Sequence, residues 1–216
     1  GLPKGKTILL YAGSSKELAE INHLAMLDNA IESGELGNAV ILYRPHPWGG
    51  CGQGGKKIND HPWLHVCFDH TMRPYIKSIS DGSYQSIYPD YEDTRDLLHY
   101  IDALVAPLST IILEAALNGK PTMCYMADDE IEVARHYRRA RNSLHFQEMY
   151  RMDEFIVAHG APNLIPGVAE LLKRVGNLDF AERLRQVSRF FVKPFDEPYG
   201  ERLVKFIETE AAESAR

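Results

Sequence analysis

The stretch Asp102-Ala103-Leu104-Val105-Ala106-Pro107-Leu108-Ser109-Thr110-Ile111-Ile112-Leu113-Glu114-Ala115-Ala116-Leu117-Asn118-Gly119-Lys120-Pro121-Thr122-Met123-Cys124-Tyr125-Met126 reads as strand, helix, strand. Its first apolar run, 102–107, is continuous rather than alternating, the pattern of a strand covered on both faces. Ser109 and Thr110 are small hydroxyl residues of the kind that cap a helix, here expected over 110–118. Asn118-Gly119 end that helix, Pro121 blocks its continuation, and 121–126 forms the next strand.

The same alternation extends toward the N-terminus. Thr7-Ile8-Leu9-Leu10-Tyr11-Ala12 is another buried run, ending at Gly13. Ser14 with Glu17 three residues on has the capping-box spacing and predicts a helix start. That helix carries Leu24, Leu27 and Ile31 on one face and stops near Gly34. Ala39-Val40-Ile41-Leu42-Tyr43 then leads into Arg44-Pro45-His46-Pro47. A helix capped by Asp93 or Thr94 is expected to run through Tyr100. Strands and helices in turn predict an α/β fold, a doubly wound and mainly parallel sheet flanked by helices. No strand is assigned over 61–91. Beyond residue 130 the pattern is mostly helical, interrupted around 159–166, and 200–216 reads as an amphipathic helix with a polar tail. Five glycines within 49–55 predict a flexible loop over 49–60.

Composition removes several classes. The 216 residues hold 24 Lys and Arg against 30 Asp and Glu, a net charge of −6. That is the wrong sign for a nucleic-acid binder. No apolar run approaches the roughly 20 residues that span a bilayer. Three cysteines, Cys51, Cys67 and Cys124, make no disulfide framework and predict a cytoplasmic setting. The chain enters its first strand almost at once, which suggests one domain of a longer protein.

Open α/β sheets bind ligands at the carboxyl ends of their strands. Three polar segments fall there: Gly13-Ser14, Arg44 to His46, and Ser109-Thr110. A helix start with hydroxyls suits an anion, and Glu114 lies about 7.5 Å along the helix from Ser109, a spacing that fits a phosphate and a ribose diol. Arg44 offers a planar fork to a phosphate, and His46 titrates near neutrality. Each also has a plain structural role, as cap, turn or strand end. Cys51, His61, His65, Cys67 and His70 match no familiar zinc spacing, so no metal is expected. Tyr75, Tyr84, Tyr88 and Tyr91 either pack or stack on a base. Arg135, Arg138, Arg139 and Arg141 form a solvated helix face or a contact for a phosphorylated acceptor or anionic lipid.

The Ser109-Thr110, Glu114-Ala115 and Gly119-Lys120-Pro121 block, with Arg44-Pro45-His46-Pro47, resembles the C-terminal nucleotide-binding domain of GT-B glycosyltransferases. Within that fold it is most similar to bacterial surface-polysaccharide enzymes and CDP-glycerol glycerophosphotransferases. The resemblance implies one Rossmann-like nucleotide-binding domain over 1–216, the C-terminal half of a two-domain enzyme whose N-terminal domain supplies the other half of the site. It implies a nucleotide-activated donor (UDP-, CDP- or CMP-linked) with no separate cofactor, and a carbohydrate or lipid-linked acceptor, at the inner face of the membrane if peripheral. Gly13, Ser14, Ser109, Thr110 and Glu114 would bind the donor, and Arg44 and His46 would serve catalysis. Ala106-Pro107-Leu108 stands where the glycerophosphotransferases carry a Thr-Asp-Tyr-like segment, which leaves the donor open. A UDP-sugar epimerase-like fragment and a non-catalytic nucleotide- or phosphometabolite-binding domain are the alternatives.

Overall fold

A computed structural model describes residues 4–14, 19–47, 58–83, 85–129, 144–192 and 196–214. Glu17, Cys51, Tyr84, the glycine run 49–55 and Arg135 to Arg141 lie outside these.

Six parallel strands form one sheet: β1 (Thr7–Ala12), β2 (Ala39–Arg44), β3 (Val66–Phe68), β4 (Ala103–Ala106), β5 (Thr122–Met126) and β6 (Ile156–His159). Their spatial order is β3-β2-β1-β4-β5-β6. The chain therefore reverses direction of growth between β1 and β4, the switch point where a crevice opens above the strand ends. The helices are α1 (Glu20–Glu32), α2 (Arg73–Ser80), α3 (Tyr91–Tyr100), α4 (Ile111–Leu117), α5 (Leu144–Gln147), α6 (Leu164–Lys173), α7 (Leu178–Ser188) and α8 (Tyr199–Ser214). The expected doubly wound α/β architecture is what forms.

The central strands are buried on both faces, as their unbroken apolar runs require. Leu9 and Leu10 of β1 pair in register with Ile41 and Leu42 on one side and Ala103 and Leu104 on the other, and all six are buried. Leu24, Leu27 and Ile31 of α1 are buried as well. Between helix and sheet, His23 of α1 hydrogen-bonds the Tyr11 hydroxyl at 2.9 Å and meets Tyr125 edge-on at 4.9 Å. The Ile8 amide donates to the Asp102 carboxylate at 2.7 Å, which locks β1 beside the entry to β4.

Several boundaries differ from expectation. Helix α1 begins at Glu20, not Ser14, and no side chain caps it. The Ser14 amide instead donates to Glu20 Oε1 at 2.7 Å, so the carboxylate of the first turn reaches back to the strand end. Helix α3 is capped by Asp90, whose carboxylate accepts from the Asp93 amide at 2.9 Å, rather than by Asp93 or Thr94. Strand β3 and helix α2 occupy part of the span left unassigned; β6 falls in a stretch read as helical and ends at His159, where the interruption was expected, and the helix resumes at Leu164. Gly119, at φ +70°, ends α4 in the left-handed region; a side chain there would also meet the Arg185 guanidinium at 2.7 Å.

Helix α8 stands apart from this core. Tyr199, Phe206 and Ile207 are all more than half exposed.

Candidate functional site

At the switch point the ends of β1, β2 and β4 enclose a cleft of about 240 Å³. Gly13, Arg44, His46, Ser109 and Glu114 line it, together with Tyr88 from the segment before α3. Five of the seven residues expected to bind the donor or serve catalysis thus meet in one place. The other two, Ser14 and Thr110, flank it: Ser14 is buried and Thr110 is exposed at the start of α4.

The β1 end is held by its own bonds. The Gly13 amide donates to the Arg44 carbonyl at 2.8 Å, and the Ser14 amide is taken by Glu20. A Cβ on residue 13 would lie 2.8 Å from Glu20 Oε2 and 3.0 Å from the His46 amide nitrogen. Glycine here lets β1, β2 and the Glu20 carboxylate converge. Glu20 itself is fully buried and also accepts from the Tyr43 hydroxyl. The sequence reading passed over Glu20; its spacing from Leu24, Leu27 and Ile31, which puts it on their helix face, is the signal that would have found it.

Arg44 is the best-anchored cation of the site. Its Nε donates to Asp69 Oδ2 at 2.5 Å and its Nη1 to Thr94 Oγ1 at 3.0 Å. Asp69, 3% exposed, also accepts from the Thr71 amide and hydroxyl at 3.1 and 3.0 Å. Arg44 Nη2 is buried with no hydrogen-bond partner among the described residues. Buried guanidinium donors are satisfied in nearly all proteins, so an orphan marks a group awaiting an acceptor. Asp69 escaped the sequence reading because β3, which places it, is only three residues long, and Thr94 was read only as a candidate helix cap.

His46 is half-buried, and burial pushes its imidazole below the ordinary histidine range. At neutral pH it is therefore the uncharged ring. Helix α4 has no side-chain cap: neither Ser109 nor Thr110 spends its hydroxyl on the helix, while the Ser109 and Thr110 carbonyls accept from Ile112 and Leu113 at 3.2 and 2.9 Å. Glu114 lies in the first turn with its side chain exposed. Of the tyrosines, Tyr75 is core, Tyr91 is 92% exposed, and Tyr88 stands at the cleft with 68% exposure.

The histidines considered for zinc have other partners: His61 stacks on Trp63 at 3.9 Å, and His65 pairs with Glu32 at 2.8 Å. Among the described residues no group of three or more His, Cys, Asp or Glu could hold a metal ion, and no helix is long and apolar enough to cross a membrane.

No family model matches this sequence, and no curated protein matches it. Solved structures do. All of this chain aligns with 46% of the wall teichoic acid polymerase TagF, at 15% identity and a TM-score of 0.53. A second match, the glycosyltransferase SnogD from Streptomyces nogalater, aligns 96% of this chain with 45% of its own at 15% identity and a TM-score of 0.47. The chain spans less than half the length of either protein. The fold is the Rossmann-like α/β kind found in GT-B glycosyltransferases, a likeness that rests on the TagF alignment, while the strand order is the general doubly wound one.

Proposed function

We propose that the chain is the donor-binding half of a nucleotide-activated transferase that moves a glycosyl or polyol-phosphate group in surface-carbohydrate synthesis. The observation that carries this reading is Arg44, a buried guanidinium with one orphan nitrogen, at a switch-point cleft. Phosphate and carboxylate are the acceptors that a guanidinium matches, and a phosphate is the one that a ligand at a switch point supplies.

In this reading the donor phosphate lies between Arg44, His46 and the start of α4, where the Ser109 and Thr110 hydroxyls remain available. Glu114 accepts from the ribose diol, and the exposed Tyr88 ring covers the base. An acceptor hydroxyl attacks the transferred carbon or phosphorus, its proton passing to water, and the bond to the nucleotide phosphate breaks. The nucleotide leaves with the electron pair. Charge grows on the leaving oxygen as that bond breaks, and prepositioned donors stabilise it. His46, neutral before binding, hydrogen-bonds the leaving phosphate or receives a proton as negative charge accumulates beside it. These groups supply the charge stabilisation without a divalent cation. Turnover of the full-length enzyme abolished by EDTA and restored by Mg²⁺ contradicts that part of the reading.

Thermal unfolding with UDP, CDP, CMP and GDP tests the site. A nucleotide at about 100 times its dissociation constant stabilises the fold by about 2.7 kcal/mol. A shift selective for one base supports the reading and names the base; no shift with any nucleotide at millimolar concentration, on this chain and on a longer one, overturns it.

A further inference from the structure

Arg44 also lines a second and larger cavity, about 600 Å³. Leu42 and Phe68 contribute its apolar part, Asp93 and Tyr100 come from α3, and Arg73 comes from the start of α2. Nothing in the donor reading uses this space.

Most of the charged groups lining it already have partners. Arg44 and Asp69 neutralise each other inside the protein, the exposed His70 ring lies 3.7 Å from the same Asp69, and the Asp96 carboxylate is held at 2.9 and 3.0 Å by Arg95, which stands outside the lining. Arg73 and Asp93 have no ion pair among the described residues. A polyanion would meet the Asp93 carboxylate, and a polycation would meet Arg73. A neutral molecule rich in hydroxyls suits both, because a carboxylate accepts from two hydroxyls and a guanidinium donates from a fixed fork. Tyr100 adds a flat face, 71% exposed at the cavity wall, on which the C–H side of a sugar ring can lie.

We infer that this cavity is an acceptor subsite for a neutral carbohydrate ring, set beside the donor cleft by the residue the two share, Arg44. The inference rests on the transferase reading for its role as acceptor site, and on Arg73, Asp93 and Tyr100 for its ligand.

Saturation-transfer NMR on the 216-residue chain tests it, with methyl glucoside, N-acetylglucosamine and glycerol as probes. Ring protons of at least one pyranose receive saturation, whereas glycerol, which has no ring face, receives none. Tyr100→Ala removes the signal, and Arg73→Ala or Asp93→Ala each weakens binding about tenfold, the loss expected for a hydrogen bond to a charged group. An unchanged melting temperature in the three variants shows that the fold is intact. A nucleotide that shifts the melting temperature leaves the sugar signal in place. No transfer to any pyranose, transfer indifferent to all three variants, or displacement of the sugar by nucleotide overturns the inference. If no nucleotide shifts the melting temperature while a Tyr100-dependent sugar signal persists, the donor reading fails and the carbohydrate site stands; the opposite pair of results removes this cavity alone.

Discussion

Asp69 holds Arg44 from the neighbouring strand end: Nε to Oδ2 is 2.5 Å, and both side chains are less than a tenth exposed. Their charges offset each other in a medium where neither is tolerated alone. Asp69→Ala strands a buried guanidinium and is expected to cost about 3–5 kcal/mol. Replacing both partners with apolar residues of similar volume, Arg44→Met with Asp69→Leu, is expected to be close to neutral in stability while removing nucleotide binding. Urea unfolding of the two variants measures the difference.

Gly13→Ala separates packing from chemistry at the same end of the sheet. The added methyl meets the Glu20 carboxylate and the His46 backbone at 3.0 Å or less. Overpacking of this kind costs about 1–3 kcal/mol. The variant is expected to melt lower and to lose its nucleotide response even at temperatures where it is fully folded.

Ser109→Ala with Thr110→Ala is expected to do the reverse. Neither hydroxyl caps α4, so stability is expected to stay within about 0.5 kcal/mol of the parent. The nucleotide-induced melting shift is expected to fall. A parent-sized shift in the double variant removes both hydroxyls from the phosphate site.

His46 gives a pH signature with a definite sign. Its folded pKa lies below its unfolded value because burial disfavours the charged ring. Its contribution to stability is therefore full above about pH 6.5, the ordinary value, and is lost as pH falls toward the folded pKa. The melting temperature of the parent is expected to drop more steeply between pH 7 and 5 than that of His46→Asn. A bound phosphate opposes the shift by favouring the imidazolium, so nucleotide affinity is expected to rise as the solution is acidified through the same interval. Titration calorimetry in buffers of different ionisation enthalpy detects the proton taken up.

The continuous apolar runs made β1, β2, β4 and β5 legible, because a strand buried on both faces has no polar alternation to confuse with a loop. The strand ends then placed Gly13, Arg44, His46 and Ser109 together before any coordinates did. Boundaries were harder. Ser14 and Glu17 have capping-box spacing, yet α1 starts at Glu20, since a buried carboxylate that bonds the Ser14 amide and the Tyr43 hydroxyl outweighs a local cap. Ile156-Val157 followed by Gly160 was a readable strand signal, hidden by the helical text around it. Asp69 and Thr94 were not readable: they matter only because β3 and α3 bring them to Arg44 across 25 and 50 residues of chain.

The position of β1 between β2 and β4 has a consequence for how the chain folds. As this part of the polypeptide is made in the N-to-C direction, β1 can pair with β2 once the intervening helix is in place, but its other edge waits for Ala103 to Val105. Closing that distant pairing is entropically slow, and parallel strands need the whole crossover in place first. Until then an edge of Leu9, Leu10 and Tyr11 lies open, apolar and unpaired, the kind of surface that seeds aggregation. The interval between synthesis of β1 and synthesis of β4 is the vulnerable one, and arrival of β4 closes it.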